Sequence, residues 1–202
     1  MFVLTIDQVG SRGARDRVPE LLELLRPVEP ILPWERSVGD EAQGVLERAS
    51  DVVDVVMRCL RARDWYVGVG IGEVERPLPA SPREGRGSAF VAARTAVDRA
   101  KKTGERAPVA VEASTRGEAA ALAAEAEGVL ALLGRHVMNR SEAEWRILDL
   151  LEPGTRGSQT AVARVLDITP QAVSKAAARA AWHEEHAVRP AASRLLAWAD
   201  GA

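Results

Sequence analysis

The stretch Gln159-Thr-Ala-Val-Ala-Arg-Val-Leu-Asp-Ile-Thr-Pro-Gln-Ala-Val-Ser-Lys-Ala-Ala177 reads as two short helices joined by a tight turn. Val162 and Leu166 are four residues apart, so they share one helical face. Ala163 lies beside them, and so small a side chain lets a second helix cross closely. Asp167-Ile168-Thr169 forms the turn. Thr169 is placed to cap the next helix, and Pro170 suits its first position because that N–H has no helical partner in any case. Val173, with Ala176 or Ala177, turns back toward Ile168 and Leu166. Gln171, Ser174, Lys175 and Arg179 are then left facing outward, and such side chains reach base edges and phosphates.

A third helix precedes this pair. Ser141 is an N-cap with Glu144 three residues on, the spacing of a capping box. Trp145, Leu148 and Leu151 or Glu152 follow at helical spacing, and Pro153-Gly154 stops the run. Three helices are the fewest that enclose a core.

The unit resembles the DNA-binding helix-turn-helix, with 158–166 as the supporting helix and 170–181 as the recognition helix. The resemblance implies a double-stranded DNA partner contacted by Thr169, Gln171, Ser174, Lys175 and Arg179. Asp167 stands where many members have Gly, and Asp tolerates the left-handed conformation better than most residues. Charge qualifies the picture. Residues 139–202 hold eight Lys and Arg against eight Asp and Glu. Within 153–183 the basic residues Arg156, Arg164, Lys175 and Arg179 face Asp167 alone. So few cations bind phosphate weakly in one copy, so a homodimer on a two-fold site is expected. His183 to Val188 is too short for a wing hairpin. A last helix, 191–199, either packs on the DNA-binding unit through Trp182 and Trp198 or forms the dimer seam through Leu195, Leu196 and Trp198.

Ahead of these helices the pattern changes. Phe2 to Ile6 is a continuous apolar run, a buried strand ending at Asp7. Asp16 to Arg26 is helical through Leu21, Leu24 and Leu25. Ile31–Arg36 and Glu41–Glu47 form a hairpin over Ser37-Val38-Gly39-Asp40. Ser50 caps a helix carrying Val53, Val56, Met57 and Leu60. In Trp65-Tyr-Val-Gly-Val-Gly-Ile-Gly72 the large residues alternate onto one face and glycines onto the other, so a helix or a ligand can approach that backbone closely. Ser88 caps a helix lined by Ala89, Ala93, Val97 and Ala100. A strand at 108–113 and a long helix at 118–136 follow. The first six elements make a βαββαβ unit, the ferredoxin-like arrangement, which brings Asp7 and Asp40 to one edge of the sheet.

Residues 2–104 resemble the palm-like domain of class III nucleotidyl cyclases and GGDEF diguanylate cyclases, and most closely the SatD-type family. Asp7-Gln-Val-Gly-Ser11 is similar to the metal-holding turn after the first strand. Val38-Gly-Asp-Glu-Ala-Gln43 is similar to the Gly-Gly-Asp-Glu-Phe hairpin. Val67-Gly-Val-Gly-Ile-Gly72 is similar to the glycine-alternating strand, and Gly87 to Arg94 to the start of the SatD-type helix. The resemblance implies Mg²⁺ on Asp7 and Asp40 and a nucleotide whose phosphates meet the backbone N–H groups of Gly10 and Ser11. Val38 and Ala42 depart from the diguanylate-cyclase hairpin. No Lys or Arg matches the transition-state stabilisers of active cyclases, although Arg12, Arg15, Arg17 and Arg94 are available.

Composition bounds the rest. The chain has 202 residues, 47% hydrophobic, with net charge −2. That suits one or two cored domains. No apolar run reaches membrane-spanning length and there is no leader pattern, so a cytoplasmic protein with no membrane partner is expected. Cys59, the only cysteine, reads as core packing. His183-Glu-Glu-His186 has no evident third ligand and reads as a solvated helix end. The expected class is α+β: a ferredoxin-like domain at 1–115, a linking helix at 116–138 and a helix-turn-helix domain at 139–202. The expected function is a DNA-binding regulator whose N-terminal domain senses a nucleotide or dimerises. The alternatives are a metal-dependent nucleotidyl cyclase or nucleotidyltransferase and a non-catalytic adaptor.

Overall fold

A computed structural model describes residues 1–11 and 13–202; Arg12 lies outside them. The described residues form a mixed α/β structure with five strands and eight α-helices. In chain order these are β1 (Phe2–Gln8), α1 (Val18–Leu25), β2 (Leu32–Arg36), β3 (Glu41–Leu46), α2 (Ala49–Ala62), β4 (Trp65–Ile71), α3 (Ser88–Ala100), β5 (Val109–Ala113), α4 (Glu118–Asn139), α5 (Glu142–Leu148), α6 (Ser158–Leu166), α7 (Pro170–Arg179) and α8 (Trp182–Gly201). The sheet order is β2-β3-β1-β4-β5. β1 runs antiparallel to both β3 and β4, β2 pairs antiparallel with β3, and β5 is parallel to β4.

β1 is buried along its whole length because helices cover both faces. Phe2, Leu4 and Ile6 join Trp65, Val67, Val69 and Ile71 beneath α2 and α4, in the main core. Val3 and the glycines of β4 face α3 instead. A Cβ on Gly68 would run into the backbone of Val97 and Ala93, and one on Gly70 into Ala89 and Ala93. Of the two occupants that a glycine face admits, this strand therefore holds a helix. Ala89, Ala93 and Val97 are buried against it.

Two expected caps differ. Ser50 lies inside α2, which starts at Ala49 after Arg48. Ser88 is the first residue of α3 rather than its cap, and its Oγ accepts from the Glu73 N–H at 3.0 Å. The capping box at Ser141 and Glu144 forms as expected, with reciprocal bonds. α5 ends at Leu148, short of Leu151.

The largest difference is at the C-terminus. The last helix starts at Trp182, not 191, and runs through Pro190 to Gly201. Trp182 belongs to the small core of α5–α7, as expected. Further along, Ala192, Leu196 and Ala199 enter the main core beside α2 and α4. Trp198, expected either to pack on the DNA-binding unit or to lie in a dimer seam, is 58% exposed and so does not pack on that unit. One continuous helix thus ties the C-terminal helices to the sheet layer. No helix among the described residues is long and apolar enough to cross a membrane.

Candidate nucleic-acid interface

α6 and α7 cross over a core of Val162, Ala163, Val173 and Ala177, closed by Leu148, Leu151, Ala180 and Trp182. The crossing depends on the turn. Asp167 adopts the left-handed conformation (φ 52°, ψ 47°), as its position requires. The Ile168 N–H bonds the Ala163 carbonyl at 3.0 Å, ending α6. Thr169 Oγ1 accepts from the Ala172 N–H at 3.1 Å and caps α7, and Pro170 follows in its first turn. Ile168, expected in the small core, is 37% exposed, and Leu166 is half-buried. The left-handed Asp167 turns the chain before Ile168 can point inward.

Val173, Ala176 and Ala177 are buried, while Gln171, Ser174, Lys175 and Ala178 form an exposed stripe at helical spacing. α7 ends at Arg179, not 181. Arg179 lies beside Glu144 at 3.7 Å and keeps most of its side chain in solvent. The Glu144 carboxyl is held below its ordinary range, first by the Ser141 N–H and then by the Ser141 hydroxyl. The Thr169 hydroxyl oxygen accepts the capping bond, which leaves its O–H as a donor.

At the far end of β1, Gln8 accepts from the Arg17 N–H and donates to the Arg15 carbonyl, at 2.9 and 2.8 Å, shaping the segment after the strand. Asp7 stands opposite Glu41, and the Gln8 N–H reaches the Asp40 carbonyl at 3.3 Å, so the two turns do meet. Their carboxylates are placed differently. Asp7 turns to the α3 side, where Lys101 Nζ lies 2.7 Å from Oδ2. Burial pushes the Asp7 carboxyl up, against the pull of Lys101. Asp40 lines a shallow cleft of about 230 Å³ with Ser11, Arg15 and Arg36 on the Gln8 side. A Mg²⁺ held by both carboxylates needs Asp7 to exchange Lys101 for the metal. Gly10, with φ 66°, is exposed beside this cleft. Basic groups nearby have acidic partners: Arg94 with Glu41, Arg17 with Glu20 and Asp64, Arg15 with Glu20, and Arg36 with Asp16.

A third constellation escaped the sequence. Arg140, at the end of α4, is buried; its Nε and Nη2 donate to the Ala180 carbonyl at 3.0 and 2.7 Å. Its Nη1 lies 2.6 Å from Glu185 Oε2, an ion contact, for that oxygen has no well-aligned donor. Arg189 donates to Glu185 Oε1 and to Asp54 Oδ1 of α2, at 2.9 and 2.8 Å. Burial pushes the Glu185 carboxyl up, but Arg189 and Arg140 outweigh it and hold it low. Glu185 belongs to the His183–His186 run that read as a solvated helix end. A glutamate between two histidines gave no sign of burial, since its partners are 4 and 45 positions away. His186 Nδ1 lies 2.8 Å from the Trp182 carbonyl.

Searches against protein-family models, curated proteins and solved structures match nothing to this chain.

Proposed function

We propose that this protein is a DNA-binding regulator, with α7 as the helix that reads base edges in the major groove. The single observation behind the reading is the stripe of Gln171, Ser174 and Lys175, exposed on a helix whose opposite face is buried and whose first turn is capped. Gln pairs with adenine edges and Lys with guanine edges, and Ser serves either. Arg156 and Arg164, both exposed, add phosphate contacts. The weak local charge calls for two copies on a two-fold site, so the active form is a homodimer. The sheet unit, with its β2-β3-β1-β4 antiparallel order and α1 and α2 on one face, supports a ferredoxin-like reading of the N-terminal half.

The test is selection from a pool of randomised duplexes. The expected product is a pseudo-palindrome with half-sites about one helical turn apart. A pool that emerges unenriched overturns the reading.

The alternative, a metal-dependent nucleotidyl cyclase, draws on Asp7 and Asp40 at one end of the sheet. It requires Lys101 to give way to a cation and the paired arginines to release their carboxylates. Pyrophosphate release from nucleoside triphosphates with Mg²⁺, lost in Asp7→Asn, would establish it.

A further inference from the structure

A cleft of about 790 Å³ lies between the C-terminal end of α2 and the α4–α5 junction. Four arginines line it, Arg61, Arg63, Arg140 and Arg146, against two acids, Glu142 and Asp149. Two of the four are already fixed. Arg61 makes a bidentate pair with Asp149, at 2.6 Å on each oxygen, and its guanidinium lies 4.0 Å from the Trp145 ring centroid. Arg140 is 4.9 Å from the same ring and bonded to Ala180 and Glu185. These groups make a stiff wall.

Arg63 and Arg146 are different. Arg63 spends one amine of its fork on the Arg140 carbonyl, at 2.9 Å, and is otherwise exposed. It is held there by a left-handed backbone (φ 64°) that closes α2. Arg146 is exposed and makes no ion pair or side-chain hydrogen bond among the described residues.

We propose that this cleft binds a small polyphosphate anion, a nucleoside di- or triphosphate or an inorganic chain, through the forks of Arg63 and Arg146. Planar guanidinium groups take phosphate oxygens two at a time. The volume lies within the usual range of small-molecule sites. Recognition is by phosphate rather than by ring stacking, because Arg61 and Arg140 already lie against Trp145. The site is distinct from the Asp7–Asp40 end of the sheet, where Arg15, Arg17, Arg36 and Arg94 carry acidic partners. Its place gives it a consequence. Arg140 lines the cleft and holds the last carbonyl of the α7 segment, so an anion there acts on the support of the recognition helix. That consequence rests on the regulator reading; the binding itself does not.

Calorimetric titration of the full chain with inorganic triphosphate at low salt, without DNA, tests the site. Wild type is expected to bind. Arg146→Gln and Arg63→Gln each weaken binding about tenfold, the loss for one charge-assisted bond. Arg63 also supports the junction, so Arg146→Gln, which breaks no ion pair or side-chain hydrogen bond among the described residues, is the decisive variant. Asp40→Asn and Arg116→Gln, an exposed position between β5 and α4 outside the cleft lining, should bind as wild type. Absence of heat from wild type overturns the proposal, as does unchanged binding by Arg146→Gln. A loss in Asp40→Asn instead would move the site to the sheet end and overturn it. An equal loss in Arg116→Gln would reduce the effect to general charge and overturn it as well. Loss of duplex binding in Arg146→Gln, with no triphosphate binding by wild type, would make the cleft a DNA backbone contact and also refute it.

Discussion

Arg140 and Glu185 meet with 2% of either side chain exposed, joining the end of α4 to the first turn of α8. The pair does more than neutralise two charges. Arg140 also holds the Ala180 carbonyl, and Arg189 carries the same carboxylate on to Asp54 of α2. The helices that present α7 are thereby fixed to the sheet layer through one chain of ionic contacts. Removing Glu185 leaves Arg140 buried without a counter-charge, which costs about 3 to 5 kcal/mol. Glu185→Leu alone should lower the urea-unfolding free energy by that order, and Arg140→Met, where Arg189 still faces the carboxylate, should lower it by less. The double variant, Arg140→Met with Glu185→Leu, should recover part of the loss because no lone charge remains.

The pH dependence carries two opposite signs. The folded Glu185 carboxyl is held below its ordinary 4.5, mainly against burial and through Arg189 and Arg140. Its stabilisation is therefore complete above about 4.5 and is lost as pH falls through the folded value. Asp7 is raised from 3.8 by burial, so its ionisation opposes folding, and its protonation on acidification adds stability. Melting temperatures taken across the acid range should fall less steeply for Glu185→Gln than for wild type, and more steeply for Asp7→Asn.

Gly70→Ala should destabilise by at least about 1 to 3 kcal/mol, because the new methyl meets α3 backbone rather than a movable side chain. Gly128→Ala, where a Cβ meets open space, provides the comparison and should be neutral or slightly stabilising. Equal denaturation midpoints for the two variants would contradict the close packing of α3 on β4.

Much of this layout is written in local pattern. The glycine alternation of β4, the capping box at Ser141 and the Asp167–Thr169 turn each depend on neighbours within a few positions, and each lies where its spacing indicates. Ser50 and Ser88 misled because a hydroxyl near a helix start is a cap only if the backbone leaves the helix there. Ile168 misled because apolar character does not reveal which way a left-handed residue turns the chain. The ionic junction was illegible for a different reason: Arg140, Glu185, Arg189 and Asp54 lie on three helices, and their pairing follows from how α8 returns to the sheet. The return is carried by Ala192, Leu196 and Ala199, whose spacing within a longer helix hid behind Pro190. At the sheet end, the approach of the Asp40 turn to the end of β1 was readable, but the claim of Lys101 on Asp7, which turns the two carboxylates apart, was not.

Lys101→Met removes the ammonium that pulls the Asp7 carboxyl down. The titration of Asp7, followed by carbon-detected NMR, should shift to higher pH in this variant. An unchanged titration would show that Lys101 does not hold Asp7 in solution.

On the proposed function, the exposed stripe of α7 reads DNA. The measurement to make is binding of wild type and Lys175→Ala to the duplex selected by wild type, by fluorescence anisotropy at fixed salt. A lost base contact costs about 1 to 3 kcal/mol, so the variant should bind roughly ten- to a hundredfold more weakly, with discrimination against an unrelated duplex reduced as well. Equal affinity and equal discrimination for the two proteins would contradict it.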